Sequence, residues 1–244
     1  MTMFDSRNSV RIHAVLSTDR PKVSYLVVFA FSSLMLQRLP VDATDPPDPF
    51  NGKSFSAWTT IDGKPVPEGW EILDGILHLK KDEKRTGHIV TANEYGDFTL
   101  SFGWKIAPGG NSGLKYRVRA YGERVIGCEY QIYDDSGAKQ VQPRNSAGAL
   151  YDLYEPTSDK KLKPAGEWNQ AKIVVRGNRI EHWLNGQQIV TATIGDSEWQ
   201  KRLSESKFSE CPDFSQQPKG KLMLTDHGSE VWYRNFVFEQ QSSK

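Results

Sequence analysis

Apolar and polar residues alternate through most of the chain beyond residue 50. The pattern is clearest in Gly127-Cys128-Glu129-Tyr130-Gln131-Ile132-Tyr133-Asp134-Asp135. Period-two geometry puts Cys128, Tyr130 and Ile132 on one face of a strand and Glu129, Gln131 and Tyr133 on the other. Similar segments recur. Trp70-Glu71-Ile72-Leu73 and Ile76-Leu77-His78-Leu79 flank Asp74-Gly75, a pair that supplies the positive φ of a two-residue hairpin turn. His88-Ile89-Val90-Thr91 reads as a short strand. Phe98–Ile106 reads as a longer one, with Phe98, Leu100, Phe102, Trp104 and Ile106 on a core face. After the tight loop 108–113, residues 114–119 alternate so that Leu114, Tyr116 and Val118 point inward and Lys115, Arg117 and Arg119 outward. Residues 168–176, 179–184 and 187–193, turning at Gly177-Asn178 and Asn185-Gly186, form a meander. Residues 221–225 and 231–238 are the last strands, joined by Asp226-His227-Gly228-Ser229.

The helical period appears once in this region, at 196–208, where Trp199 and Leu203 lie four apart behind an Asp or Ser cap. The stretches 136–146 and 155–164 read as loops, and long loops in compact domains are often functional. About a dozen short strands with turn residues between them predict an all-β sandwich of two curved antiparallel sheets, a jelly roll with one short helix.

The pattern breaks near the N-terminus. Arg20 and Lys22 precede the apolar run Tyr25-Leu26-Val27-Val28-Phe29-Ala30-Phe31, and Ser32-Ser33-Leu34-Met35-Leu36 comes directly after it. Basic residues before a run too short for a membrane span predict an export signal over residues 1–43, cleaved after Ala43. The long stretch before Arg20 leaves two alternatives, a start further downstream or an uncleaved anchor. No Cys lies just beyond the run to carry a lipid. A Pro-rich linker at 44–49, a domain at 50–240 and a tail at 241–244 complete the organisation.

Composition narrows the function. The 244 residues carry a formal net charge of +1, which gives no electrostatic case for nucleic acid or an anionic membrane surface. Cys128 and Cys211 are the only cysteines, too few for a disulfide scaffold or a thiolate metal site, although they can pair in an oxidising compartment. No two histidines have zinc spacing, no nucleophile elbow is present, and the Gly109-Gly110-Asn111-Ser112-Gly113 run lacks the Lys of a phosphate loop.

Seven phrases in one order carry a resemblance: Phe50-Asn51-Gly52-Lys53, Asn111-Ser112-Gly113, Glu129 to Asp135, Gly148-Ala149-Leu150-Tyr151-Asp152-Leu153, Gly166-Glu167-Trp168-Asn169, Trp183-Leu184-Asn185-Gly186 and Asp226-His227-Gly228. Together they resemble the bacterial 3-keto-disaccharide hydrolase family. The resemblance implies a concanavalin-like or glucanase-like jelly roll, export, and cleavage of 3-keto-glycosides or hydration of the derived enone-type sugar. Cys128 stands where an aliphatic residue is expected. Thr225 stands where the family carries Gln, so specificity differs if that Gln touches substrate.

A C3 ketone acidifies the C2 proton. Its removal, loss of the C1 substituent and addition of water need a base, a donor or cation for the enolate oxygen, and an acid. The catalytic candidates are His227, which titrates near neutrality, then Glu129 and Asp134. Gln131, Asn111, Ser112 and Asp226 are candidates for sugar hydroxyls, Lys115 and Arg117 for the ketone oxygen, and Tyr151 or Trp183 for stacking on a ring. Asp134 and Asp135 are candidates for a divalent cation, although adjacent carboxylates more often simply open a turn. His78, His88 and His182 alternate with apolar residues and read as structural. The alternative function is a non-catalytic carbohydrate-binding module at the cell surface.

Overall fold

The computed structural model describes residues 48–81, 85–137 and 141–241. The expected export segment lies outside these. The strands, in chain order, are β1 (Trp58–Thr60), β2 (Trp70–Leu73), β3 (Ile76–Leu79), β4 (Ile89–Thr91), β5 (Phe98–Ile106), β6 (Asn111–Tyr121), β7 (Arg124–Tyr133), β8 (Asn169–Arg176), β9 (Arg179–Leu184), β10 (Gln187–Thr193), β11 (Lys221–Leu224) and β12 (Val231–Gln240). They form a five-stranded sheet, β1-β4-β11-β6-β7, and a seven-stranded sheet, β10-β9-β8-β5-β12-β3-β2. Every pairing is antiparallel. The architecture is the all-β jelly-roll sandwich that the alternation predicts.

The core lies between the sheets. From β7, Cys128, Tyr130 and Ile132 face inward, and all five apolar residues of β5 named above are buried. Phe102 meets Tyr130 edge-on across the gap, with ring centroids 5.9 Å apart. Polar groups cross it as well. Tyr116 donates its hydroxyl proton to His182 Nε2 at 2.9 Å, and His182 Nδ1 donates to the Gly148 carbonyl at 3.0 Å. Burial pushes the His182 pKa down to about 4, opposed by the Gly148 and Ala149 backbone, which favours the cation. His182 is a structural residue, as its place among apolar neighbours predicts.

The Asp74-Gly75 hairpin is present, with both residues at positive φ. The helix is shorter than its periodicity suggests: α1 spans Ser197–Ser204, capped by Asp196, whose carboxylate accepts from Trp199 N. Cys128 and Cys211 are both buried and free, so the disulfide that an oxidising compartment allows does not form.

One expectation about β6 fails for a local reason. Arg117 adopts φ 51°, and the pairing steps from Tyr116↔Cys128 to Arg119↔Ile126, one residue more on β6 than on β7. This is a β-bulge, and it reverses the facing of the residues beyond it. Val118 consequently packs with Val90 and Met223 on the outer face. Arg117 turns in and is 1% exposed, its guanidinium donating to the Ser215 carbonyl at 3.0 Å and to the Gly177 carbonyl. Glycines flank the bulge because nothing larger fits. A β-carbon at Gly127 would lie 2.4 Å from the Tyr116 oxygen, and one at Gly220 would lie 2.6 Å from the Arg117 carbonyl carbon.

Candidate active site

The outer face of the five-stranded sheet gathers the chemistry. Inward residues on β6, β7, β11 and β4 (Leu114, Tyr130, Leu224 and Ile89) fix the phase, so their neighbours Lys115, Glu129, Thr225 and His88 face out. Register brings them side by side: Lys115 pairs with Glu129, Gly113 with Gln131, Met223 with Lys115, and Leu224 with Ile89. His227 lies in the turn after β11.

Glu129 is the centre of this face. Its side chain is almost fully buried, and Lys115 Nζ lies 3.6 Å from Oε2. Oε1 has no hydrogen-bond partner. Burial raises the carboxyl pKa, with the charges of Lys115 and Lys207 pulling the other way. An unpaired acceptor in such a place is costly. Lys207 reaches the site from the loop after α1. Its ammonium sits 4.0 Å from the centre of the Tyr151 ring, and its backbone N–H donates to Asp152. Burial lowers its pKa, opposed by Glu129 and Asp152. Tyr151 N–H donates to the Glu129 carbonyl at 3.0 Å, and burial and then the Glu129 charge raise the pKa of its phenol.

His227 and His88 meet edge-to-face, with ring centroids 5.7 Å apart. Burial, then His88, Lys115 and Arg85, push the His227 pKa down to about 4, against Asp226. The ring is therefore neutral at pH 7. It does not titrate near neutrality as its residue type suggests, and it stands as a neutral imidazole of low basicity. Burial and then Lys115 and Arg85 also lower the His88 pKa, again opposed by Asp226. Lys115 acts electrostatically on both imidazoles and on Glu129, so these four groups share one site.

Gln131 and Asn111 form its amide end, Gln131 Nε2 donating to Asn111 Oδ1 at 3.4 Å and to the Asn145 carbonyl at 3.2 Å. Other candidates lie elsewhere. Ser112 shares the inward phase of Leu114, and its hydroxyl bonds to the Thr225 carbonyl and to Tyr233 between the sheets, so it is a core residue. Arg117 is held beneath the bulge and does not reach the site. Asp226 is 2% exposed and spends its carboxylate on the N–H groups of Gly87 and Gly228, so it clamps backbone rather than sugar.

Asp134 lies five residues beyond Glu129 on an extended chain, about 16 Å away at strand spacing. Its carboxylate accepts from Ser136 N, Ser136 Oγ and Gly109 N, and these bonds hold its pKa low although burial opposes them. It is a turn-forming residue, away from the group around Glu129. Asp135 instead accepts from Ala147 N and pairs with Lys160 at 2.8 Å. The two carboxylates thus have separate partners, and among the described residues no three His, Cys, Asp or Glu side chains gather as a metal site. Trp183 lies on β9 of the other sheet beneath the Lys172 ammonium.

The site also contains His88 and Lys207, which the sequence pattern does not single out. Alternation with inward Ile89 puts His88 on an outer face, but only the β4–β11 pairing shows which residues it joins. Lys207 gives no periodic signal because it lies past the helix in an irregular segment.

Known proteins resemble this chain over the same region. A 3-keto-disaccharide hydrolase of Bacteroides thetaiotaomicron is 28% identical over 90% of this chain and 86% of its own length. A chain from Parabacteroides distasonis, assigned as a glycosyl hydrolase, has a crystal structure that superposes with TM-score 0.71 at 31% identity, over 80% of this chain and 93% of that one. A second such structure from the same organism gives TM-score 0.60 at 26% identity, over 80% and 98%. The model of the 3-keto-alpha-glucoside-1,2-lyase-like domain matches residues 46–239, and the chain belongs to that family.

Proposed function

We propose that the protein is a carbohydrate-active hydrolase that cleaves 3-keto-glycosides by elimination and hydration. The observation that carries this reading is Glu129, a buried carboxylate with one unpartnered oxygen and an ammonium beside the other. Burial makes it a stronger base than an ordinary carboxylate, while the neutral His227 is a weaker base than free imidazole. The preference between the two therefore reverses. The Glu129 carboxylate takes the C2 proton, and the electrons move to the C3 oxygen as an enolate beside the Lys115 charge. The enolate collapses to a C1–C2 double bond and expels the aglycone oxygen, which leaves with the proton that Glu129 returns. The water that adds at C1 gives its proton to the neutral His227, which passes it on to C2, so both side chains return to their starting protonation states.

The apolar run at 25–36 supports export of this activity. Secretion of a full-length fusion, abolished by deleting the run, tests that part.

The chemistry is tested by incubating the protein with a panel of 3-keto-glucosides in deuterated water and tracking products by NMR. The expected result is aglycone release with deuterium at C2 of the sugar, both lost in Glu129→Gln, and slowed hydration in His227→Ala. Release without deuterium at C2 overturns the elimination route in favour of direct hydrolysis. Sugar binding without turnover favours a binding module.

A further inference from the structure

His88 makes one hydrogen bond with an unambiguous donor. The backbone N–H of Asp226 points at its Nδ1 from 2.9 Å. A backbone N–H cannot accept, so Nδ1 must carry the lone pair and the ring proton must sit on Nε2. The backbone at 226 is itself held. Asp226 Oδ2 accepts from Gly87 N at 2.8 Å, Oδ1 accepts from Gly228 N at 2.7 Å, and Gly87 immediately precedes His88. The start of β4 and the turn after β11 therefore clasp each other through two hydrogen bonds, and a third closes the turn on itself. Protonating Nδ1 would set two N–H groups against each other within that clasp. The facing charges agree, since Lys115 and Arg85 disfavour an imidazolium and only Asp226 favours one. Nε2 has no partner among the described residues, and the ring stands on the outer face next to His227.

We infer that His88 is a neutral donor locked in the Nε2–H tautomer, which hydrogen-bonds the C3 ketone oxygen of the sugar and the enolate that develops there. A neutral imidazole in this position polarises a carbonyl without surrendering its proton. It complements Lys115, which supplies charge to the same region. The lock rests on the structure alone, whereas the identity of the acceptor oxygen rests on the function proposed above.

Three measurements separate these parts. In full-length protein with imidazole-¹⁵N-labelled histidine, two-bond correlations should show His88 protonated on Nε2 and bare on Nδ1, unchanged from pH 8 to pH 6. A protonated Nδ1 anywhere in that range overturns the lock. Adding a 3-keto-glucoside to labelled Glu129→Gln should move the His88 Nε2–H proton downfield, and the matching glucoside with a C3 hydroxyl should move it less. Sugar binding without such a shift overturns the donor assignment even if wild-type protein turns the substrate over. In kinetics, His88→Ala should lose kcat by about 100-fold or more, with KM changed far less. His88→Gln, which keeps an N–H near the Nε2 position, should recover part of the loss. Equal kcat in wild type and His88→Ala overturns the assignment. If wild-type protein turns over no 3-keto-glucoside, the proposed reaction and the ketone acceptor both fall, and the tautomer result stands or falls by itself.

Discussion

The Glu129 carboxylate lies directly over Gly113. A β-carbon added at 113 would stand 2.2 Å from Oε1 and 2.9 Å from the carboxyl carbon, so the side chain at 113 must be absent for Glu129 to hold its position. Gly113→Ala meets no such conflict with backbone, and the flexible carboxylate can swing away. Activity should fall by about 100-fold through misplacement of the base, while the thermal midpoint stays near that of the wild type. Steady-state kinetics and a melt on the same preparation check both parts. A large loss of stability would point instead to backbone strain.

The acid limb of the kcat/KM profile should lie above the ordinary carboxylate range near 4.3, because burial raises the Glu129 pKa and the base must be ionised. Lys115 works in the opposite direction. Replacing it with Met removes a charge that favours ionised Glu129, so the limb should move to higher pH as well as losing height. A limb that moves down, or stays fixed, would assign it to another group.

Arg117 offers a contrast between stability and activity. Arg117→Met leaves the Ser215 and Gly177 carbonyls without their donor, at a cost of roughly 2–4 kcal/mol of folding free energy. Residual folded protein should keep its specific activity. Urea unfolding gives the first quantity and turnover at low temperature the second. Selective loss of kcat with unchanged stability would return Arg117 to the site.

Acid should weaken the fold through His182. Its pKa is about 4 in the folded protein against 6.5 when exposed, so unfolding takes up protons between those values. The contribution is complete above pH 6.5 and declines as pH falls toward 4, by roughly 3 kcal/mol at most. His182→Gln should flatten this part of the stability–pH curve even though it lowers stability at pH 7.

Thiol chemistry gives a simple check of the core. Burial pushes the Cys128 pKa up to about 12. Denatured protein should label at two thiols without any reductant, and native protein should label slowly. A need for reductant would show that Cys128 and Cys211 pair.

Alternation makes most of the sandwich legible, because one buried face forces period two on each strand. It also puts Glu129 and Lys115 on outward faces, and the β6–β7 register makes them neighbours. Its failures come from what alternation omits. At Arg117, one extra residue reverses the phase, and only the cramped Gly127 and Gly220 hint at it. Ser112 reads as part of a loop, although it shares parity with Leu114 and Tyr116. For Asp226, a carboxylate beside a histidine looks like chemistry until its partners prove to be backbone N–H groups. His88 needs the order of strands, which no local pattern contains.

β7, the strand that carries Glu129, is the last in its sheet. Its outer rim is occupied, since Gly148 N–H donates to the Gln131 carbonyl, Gln131 N–H to the Ala149 carbonyl, and Tyr151 N–H to the Glu129 carbonyl. A bare rim would be a template for another chain. The 148–151 segment thus guards the Glu129 strand against self-association, and mutations that loosen it should cost solubility before they cost chemistry.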